Sequence, residues 1–289
     1  MRLLAVSDIH VRQPVNRGFV EAIGARGEHT ADWLVLGGDV GESEEDLDFV
    51  LRTLAPRFAR LLWVPGNHEL WTLPPSTTRG EARYRALCEV CRAHGAISPE
   101  DPYPTWPGRG PATVLAPLFL LYDYSFAPDG FGPDEARAWA AEEDIVCTDE
   151  IVLHPDPHPT REAWCAARVA RTAARLAALD PAMQTVLINH FPLRRDHAVL
   201  PAVPRFTPWC GTRRTEDWHL RFRARAVVFG HLHIRARRVV DGVPFHEVSL
   251  GYRGQWNTAT PERYLHTILD DAAEGVTDGR VAPAAGEGR

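Results

Sequence analysis

Five short clusters of His, Asp and Asn recur along the chain, and each one follows a run of apolar residues. They are Asp8-x-His10, Gly38-Asp39, Gly66-Asn67-His68-Glu69, Asn189-His190 and Gly230-His231-x-His233. Imidazole nitrogens combined with carboxylate and amide oxygens suit Zn, Fe or Mn better than Mg or Ca, which prefer oxygen ligands alone. A single tetrahedral ion with an open position needs only three protein ligands. The set is therefore large enough for two ions that share a bridging carboxylate.

The apolar runs before these clusters have the length and composition of buried strands. They cover 2–6, 32–38, 60–64, 185–189 and 225–230, and helical patterns separate the first three. Strands that alternate with helices predict an α/β fold whose sheets are buried on both faces. In such folds ligands bind at the carboxyl ends of the strands. We therefore expect the five clusters to lie close together.

The other elements are predicted from local patterns. Residues 113–126 have strand character. Thr160 is a predicted N-cap for a helix within 160–180, because apolar residues recur there at helical spacing. Asp241-Gly242 between two strand-like runs predicts a hairpin turn.

The chain is predicted to form a single domain over residues 1–270. Two loop-rich segments, near 72–112 and 127–160, interrupt the regular pattern, and we expect them to form lid-like insertions. Residues 271–289 are rich in Ala, Gly and Asp, a composition that predicts a disordered tail.

Composition argues against several classes of function. A net charge of −6 gives no overall attraction to nucleic acid or to anionic membranes. The longest clean apolar run, 115–122, is far shorter than the ~20 residues of a membrane-spanning helix. Asp8 interrupts the first apolar stretch, unlike a secretory signal, and five cysteines without framework spacing fit a reducing cytosol. We expect a cytoplasmic protein that binds neither nucleic acid nor membrane; the sequence leaves its oligomeric state open.

In order and spacing, the five clusters resemble those of the calcineurin-like metallophosphoesterases. The resemblance implies a four-layer αββα sandwich of mixed sheets with a dinuclear metal site at the carboxyl ends of the strands. It also implies two groups of ligands that share one carboxylate. They are Asp8, His10, Asp39 and His233 for the first ion, and Asp39, Asn67, His190 and His231 for the second.

The chemistry that this resemblance implies is hydrolysis of a phosphate ester. Two divalent or trivalent ions (Mn, Fe or Zn) would clamp the attacking and leaving oxygens of an in-line displacement at phosphorus. Asp39 would act as the catalytic bridge, and His68 would face the substrate and donate a proton to the leaving alkoxide. A scaffold that binds metal without turnover is an alternative of another class, and the complete ligand set argues against it.

Several stretches outside the clusters narrow the resemblance. Residues 63–72, 119–126 and 148–165 resemble an actinobacterial branch of the family that removes 4′-phosphopantetheine from the serine of holo acyl carrier proteins. This implies an acyl or peptidyl carrier protein as substrate and partner. The alternative within the same chemistry is a small-molecule phosphodiesterase or phosphatase that acts on a cyclic nucleotide, a nucleotide diphosphate or a CoA-like compound.

An arginine-rich segment follows His190. Residues 191–225 contain eight arginines and three acidic residues, a local excess of +5 (8 − 3) in a chain of net charge −6. Acyl carrier proteins are acidic, and a basic surface beside the metals would steer them. A solvated loop explains the same composition equally well. The candidates for substrate contact are Arg194, Arg195, Arg213 and Arg214.

Overall fold

The centre of the molecule is a pair of mixed β-sheets. The structure is a computed structural model that describes residues 1–272, so the tail predicted for 271–289 lies almost entirely outside the described residues. The strands in the described residues are β1 (Arg2–Val6), β2 (Trp33–Leu36), β3 (Arg60–Trp63), β4 (Thr113–Pro117), β5 (Gln184–Ile188), β6 (Ala224–Phe229), β7 (Ala236–Val240), β8 (Val243–Glu247) and β9 (His266–Asp270).

Each sheet has parallel central strands and one antiparallel edge strand. The first sheet has the order β3-β2-β1-β9, in which β9 is antiparallel to β1. The second has the order β4-β5-β6-β8-β7, in which β7 is antiparallel to β8. Val240 pairs with Val243, so the predicted hairpin at Asp241-Gly242 is confirmed. Because the central strands are parallel, their carboxyl ends lie at one edge of each sheet.

The two sheets pack face to face. Leu3 of β1 and Val186 of β5 belong to one apolar cluster between the sheets. The next residues along the same strands, Leu4 and Leu187, point the other way and belong to two separate clusters on the outer faces. Burial of both faces of each sheet therefore explains why the central strands are apolar at nearly every position.

Helices cover the outer face of each sheet and complete a four-layer αββα sandwich, as predicted. The α-helices in the described residues are α1 (Pro14–Ala22), α2 (Glu44–Leu54), α3 (Asn67–Leu70), α4 (Gly80–Ala93), α5 (Pro133–Ala141), α6 (Asp149–Val152), α7 (Arg161–Ala177) and α8 (Trp218–Arg221), and short 3-10 helices cover Arg195–His197, Pro204–Trp209, Arg213–Thr215 and Pro261–Tyr264. The Thr160 hydroxyl accepts a hydrogen bond from Ala163 N at 3.1 Å, which confirms the predicted N-cap of α7. Within residues 1–272, no helix combines the length and the apolar character that crossing a bilayer requires.

The strand predicted over residues 113–126 is much shorter than expected. It ends at Pro117, because its neighbour β5 ends at Ile188 and residues 118–126 have no strand to pair with. Phe119 and Tyr122 are nevertheless fully buried, which explains why the segment has the apolar composition of a strand. The predicted insertions at 72–112 and 127–160 carry α4 and α5–α6, respectively, and their lid-like character stays a prediction.

Candidate metal centre

The five polar clusters meet where the carboxyl edges of the two sheets adjoin. A backbone bridge joins the sheets at this point: Ser7 N donates to Val248 O at 3.0 Å, and Leu250 N donates to Ser7 O at 2.8 Å. As a result, Asp39 Oδ2 after a strand of the first sheet lies 3.4 Å from His190 Nε2 after a strand of the second. The loops that follow five different strands thereby form one site.

The candidate ligands form overlapping groups whose ligand atoms lie within 4.8 Å of one another. The groups are Asp8 with His10 and His233, His10 with Asp39 and His68, and Asp39 with His190 and His231. His233 Nε2 lies 3.2 Å from both Asp8 Oδ1 and His10 Nε2. The first and third groups contain six of the seven sequence-predicted ligands, and Asn67 is the seventh.

Several buried atoms of the candidate ligands lack any hydrogen-bond partner within the described residues. They are Asn67 Oδ1, His190 Nε2 and His231 Nε2. An unpartnered buried polar atom costs roughly 1–3 kcal/mol, so native proteins rarely leave several of them side by side. Bound cations would satisfy these lone pairs, and the donor set therefore fits a pair of metal ions.

Two of the imidazoles are held in the tautomer that metal ligation requires. His190 Nδ1 lies 3.0 Å from Gly37 O, and His233 Nδ1 lies 3.0 Å from Gln255 Oε1. Both oxygens can only accept, so each Nδ1 carries the proton and each Nε2 keeps its lone pair toward the site.

Most of the candidate ligands have a strained backbone. Asp8, His10, Asp39, His231 and His233 all have a positive φ, between 47° and 71°. A non-glycine residue in this left-handed region costs about 1–2 kcal/mol, and such residues cluster at functional sites. This conformation is a feature of the loops that sequence patterns do not show.

Glu69 holds two of the ligand loops together. Its buried carboxylate accepts hydrogen bonds from Asp39 N (2.9 Å), Gly66 N (2.9 Å) and Val40 N (2.8 Å). Burial raises the pKa of Glu69 to about 7, whereas the three N–H donors favour the ionised form. Gly66 is required here for close approach, because a Cβ at this position would collide with the Asp39 side chain. The sequence motif includes Glu69, but only the structure shows this role.

The electrostatics of the site favour ionised aspartate and divide the histidines. Burial opposes protonation of all four ligand imidazoles, but Asp39 raises the pKa of His190 to about 10 and Asp8 raises that of His233 above its ordinary value. Burial by itself would raise the pKa of Asp8, but a hydrogen bond and the charge of His233 hold that pKa below its usual range. Ser249 Oγ also donates to Asp8 Oδ2 at 2.7 Å. Burial lowers the pKa of His10 to about 4 and that of His231 to about 3. Neutral imidazoles have the free lone pairs that metal ligation requires.

His68 lies at the open side of the cluster. Its Nε2 is 3.8 Å from Asp39 Oδ2, its Nδ1 is 3.5 Å from Glu42 Oε1, and its ring packs on Trp71 with 3.6 Å between centroids. Burial opposes protonation, but Asp39 and Glu42 together raise the pKa of His68 above its ordinary value. The sequence did not single out Glu42, which belongs to no motif and lies in the loop before α2.

An open cleft of about 280 Å³ leads to the candidate ligands. The side chains that line it apart from Asp39, Asn67 and the histidines are uncharged: Leu200, Val203, Phe206, Leu232, Tyr252 and Gln255. No arginine is among the described residues that line this cleft, and the chain has no lysine.

The four arginines that the sequence suggested for substrate contact lie together, but outside this cleft. We call Arg194, Arg195, Arg213 and Arg214 the arginine patch. The first three line a separate shallow pocket with Asp196 and Glu216. The structure thus groups the four arginines and separates them from the candidate ligands; their contact with a substrate stays a prediction.

Each arginine of the patch is bonded within the chain. Arg194 donates to Asp196 at 2.6 Å, Arg213 to Asp129 at 2.5 Å and Arg214 to Asp123 at 3.2 Å. Arg195 Nε donates to a backbone carbonyl, Phe126 O, at 2.9 Å. Two of these carboxylates come from outside residues 191–225. The charge excess of that segment alone therefore overstates the positive charge of the folded surface.

Comparison with known proteins points to the same family that the sequence motifs resemble. The family model for calcineurin-like phosphoesterases matches residues 1–235. The acyl-carrier-protein phosphodiesterase PptH of Mycobacterium tuberculosis is 45% identical over 272 residues, which cover 93% of this chain and 83% of that protein. The crystal structure of the phosphopantetheinyl hydrolase PptH from the same species matches with a TM-score of 0.87, 43% identity and 98% coverage of both chains. The chain belongs to the calcineurin-like phosphoesterase family.

Proposed function

We propose that this chain is a metal-dependent phosphodiesterase that releases 4′-phosphopantetheine from the serine of holo acyl carrier proteins. The observation that carries the proposal is 45% identity over 93% of the chain to an acyl-carrier-protein phosphodiesterase. Likeness over nearly the whole chain includes the loops and the cleft, and these are the parts that differ when members of one fold act on different substrates.

The proposed cofactors are two divalent metal ions held by the seven candidate ligands. The buried, unpartnered atoms of Asn67, His190 and His231 support this assignment. When bound, two such ions polarise the phosphodiester and activate the attacking water. Mn, Fe and Zn all accept this mixture of oxygen and nitrogen ligands, so the proposal does not choose among them.

His68 is the proposed general acid. Its Nε2 faces the cluster beside Asp39, while Glu42 on its Nδ1 side and the ring of Trp71 restrict its rotation. As the ester bond breaks, His68 Nε2 would donate its proton to the departing serine oxygen of the carrier. A positioned group of this kind contributes typically ~10²–10⁴-fold to a rate. Asp39 would hold the two halves of the ligand cluster together, because it forms one group with His10 and another with His190 and His231.

The lining of the cleft supports an uncharged substrate arm. Pantetheine has no charged group and carries methyl groups and amides along its length. Leu200, Val203 and Phe206 offer it an apolar wall, and Gln255 offers an amide partner. A nucleotide diphosphate or CoA would bring further phosphates, for which the described lining residues provide no arginine, whereas a cyclic nucleotide carries only the phosphate at the reacting centre. The small-molecule phosphodiesterase is therefore the second candidate.

The proposed partner is an acidic carrier protein, and the proposed location is the cytoplasm. All five cysteines are buried and unpaired, in agreement with a reducing compartment. Docking of the carrier on the arginine patch remains a separate proposal, because that patch lies outside the cleft.

The test is mass spectrometry of intact substrates after incubation with the metal-loaded protein. Holo acyl carrier protein, CoA and a cyclic nucleotide are assayed in parallel, with Asp39→Ala as the inactive control. We expect the carrier to lose its whole phosphopantetheine arm. Turnover of CoA or of the cyclic nucleotide with an intact carrier would support the second candidate. Failure to hydrolyse even an activated diester such as bis(p-nitrophenyl) phosphate would support the scaffold.

A further inference from the structure

A buried carboxylate outside the five clusters contacts the candidate ligand Asn67. Asp149 is the first residue of α6, is 0% exposed and lies 82 positions from Asn67 along the chain. Its Oδ1 accepts a hydrogen bond from Asn67 Nδ2 at 3.0 Å and another from Trp71 Nε1 at 2.6 Å. The same oxygen thus receives two donors that come from the ligand loop.

This arrangement decides which way the Asn67 amide faces. An indole N–H can only donate, so the Asp149 oxygen that it contacts is an acceptor. The Asn67 group that faces the same oxygen must therefore be the NH₂, and its carbonyl oxygen must face the opposite side. On that side Asn67 Oδ1 has no partner among the described residues, as a ligand atom that awaits a cation would be. A flipped amide would instead present N–H donors to a cation, which is repulsive.

The hydrogen bond from Trp71 connects Asp149 indirectly to His68, the proposed general acid. The indole of Trp71 is held by Asp149 Oδ1 and packs on the His68 ring, with 3.6 Å between centroids and 31° between planes. The Asp149 carboxylate therefore restricts the side chain of the candidate ligand Asn67 and also that of Trp71, which packs on His68. Neither role is visible in the sequence, because Asp149 belongs to a different segment of the chain.

The helix that carries Asp149 is fixed firmly to the rest of the fold. Arg161 donates to Asp149 O at 2.7 Å and to Leu153 O at 2.9 Å. Thr72 N donates to Val152 O at 2.8 Å, which ties α6 to the chain just after Trp71. A buried carboxylate is costly to desolvate, and no guanidinium is recorded against its side chain in the described residues. The hydrogen bonds that orient Asn67 and Trp71 give a physical reason for a carboxylate at this buried position.

We propose that Asp149 is a positioning residue, which keeps the Asn67 oxygen turned toward the metal ions and holds Trp71 against His68. The proposal depends on the proposed function through two assignments, Asn67 as a metal ligand and His68 as the general acid. It requires no particular substrate.

The first test is metal affinity, measured by titrating the metal-depleted full-length protein with Mn²⁺ in a calorimeter. We compare Asp149→Ala, Asn67→Ala and the double variant. Loss of a group that orients a ligand typically costs ~10–100-fold in metal affinity, and we expect this loss for one of two ions in Asp149→Ala. In the Asn67→Ala background the same substitution should cost less than about twofold, because its target is gone. Unchanged affinity in the single variant, or losses that multiply in the double variant, would overturn the proposal.

Two further variants separate positioning from folding. Asp149→Asn keeps the volume and an oxygen acceptor, so it should restore most of the affinity even if Asp149→Ala unfolds; failure of this rescue counts against the proposal. Glu150→Gln is the matched control, because the adjacent carboxylate bonds Tyr124, Trp209 and Arg161, none of which belongs to the ligand loop, and the glutamine keeps an oxygen acceptor for the first two. It should bind both ions normally.

Trp71→Phe tests the connection to His68. It keeps a ring beside His68 but removes the indole N–H, so we expect unchanged metal content and a several-fold lower kcat on bis(p-nitrophenyl) phosphate. An unchanged kcat would remove the Trp71 part of the proposal. Because neither readout uses a carrier protein, failure of the substrate assignment would leave these results interpretable.

Discussion

The candidate metal centre and the arginine patch are both groups of polar side chains in loops. They differ in whether their hydrogen-bonding groups have partners among the described residues. At the metal centre, buried atoms of Asn67, His190 and His231 have no partner among the described residues. In the patch, Arg213 and Arg214 are already bonded to carboxylates of the same chain. Unsatisfied buried atoms that cluster among candidate ligands fit a metal site, whereas satisfied charges are explained by the fold alone.

Exposure strengthens this contrast. The side chains of the Arg213–Asp129 pair are 37% and 88% exposed, and an ion pair at such a position contributes only about 0–1 kcal/mol. Arg213 can therefore exchange its internal partner for that of a docking protein at little cost, whereas Arg214 pairs with Asp123, whose side chain is only 9% exposed. The metal centre has less freedom, because five of its seven candidate ligands are buried and five have a left-handed backbone conformation.

The largest expected effect comes from Asp39→Ala. This carboxylate contacts both His68 and His190 and belongs to two of the three ligand groups. We expect hydrolysis of bis(p-nitrophenyl) phosphate to fall by more than the ~10²–10⁴-fold of one acid–base group, with fewer than two ions per chain by elemental analysis. Asp123→Asn in the arginine patch is the control and should stay within about twofold of the parent. Retention of both ions in Asp39→Ala would contradict the bridging assignment.

His68→Ala should separate proton donation from metal binding. We expect kcat to fall by ~10²–10⁴-fold while metal content stays at the parent level, because His68 is assigned to the substrate side. His94→Ala is the matched control, since its ring bonds Asp48 at 2.8 Å far from the motifs. If elemental analysis shows that His68→Ala has lost an ion, His68 is a ligand and the assignment is wrong.

Metal removal should destabilise the centre without disturbing the patch. Free metal at 100 times its Kd stabilises a folded protein by about 2.7 kcal/mol, so chelation should lower Tm by about 5–10 °C in a chain of this size. Differential scanning calorimetry with and without EDTA measures this shift. In Asp39→Ala the shift should be much smaller, because less metal is bound beforehand. Equal shifts in both proteins would mean that the stabilising ion lies elsewhere.

The fold and the meeting of the polar clusters could be predicted from the sequence because both depend on short-range patterns, whereas the assignment of metal ligands stays a prediction. Apolar runs that end in Asp8 or His190 identify strands and place the ligands at one edge, and the hairpin at Asp241-Gly242 needs only local turn chemistry. The strand expected over 113–126 was wrong beyond Pro117, because apolar burial without a pairing partner leaves the same composition.

Features that depend on contacts between distant segments could not be predicted. Asp149 lies 82 residues from the amide that it orients, and Glu42 lies 26 residues before the ring beside it (68 − 42), outside any motif. The charge of the arginine patch was overestimated for the same reason, since Asp123 and Asp129 reach it from another part of the chain. Residue composition within one segment cannot show what the fold brings to it.

The smallest effects are expected from charge reversal in the arginine patch. Arg213→Glu with Arg214→Glu would place carboxylates against Asp129 and Asp123, so two weak attractions become repulsions. The exposed pair of Arg213 contributes about 1 kcal/mol, and repulsion from the nearly buried Asp123 adds to this loss, so Tm should fall by at least roughly 2 °C. Hydrolysis of bis(p-nitrophenyl) phosphate should change by less than about twofold, because the patch does not line the cleft.

If acidic carrier proteins dock on the arginine patch, the same double variant should raise KM for the holo carrier by at least ~10-fold. This change in KM is larger than any effect expected on the small diester. Arg213→Gln with Arg214→Gln removes the charge without the repulsion and should show an intermediate KM at nearly the parent Tm. Equal losses on the carrier and on the small diester would mean that the patch only supports the fold.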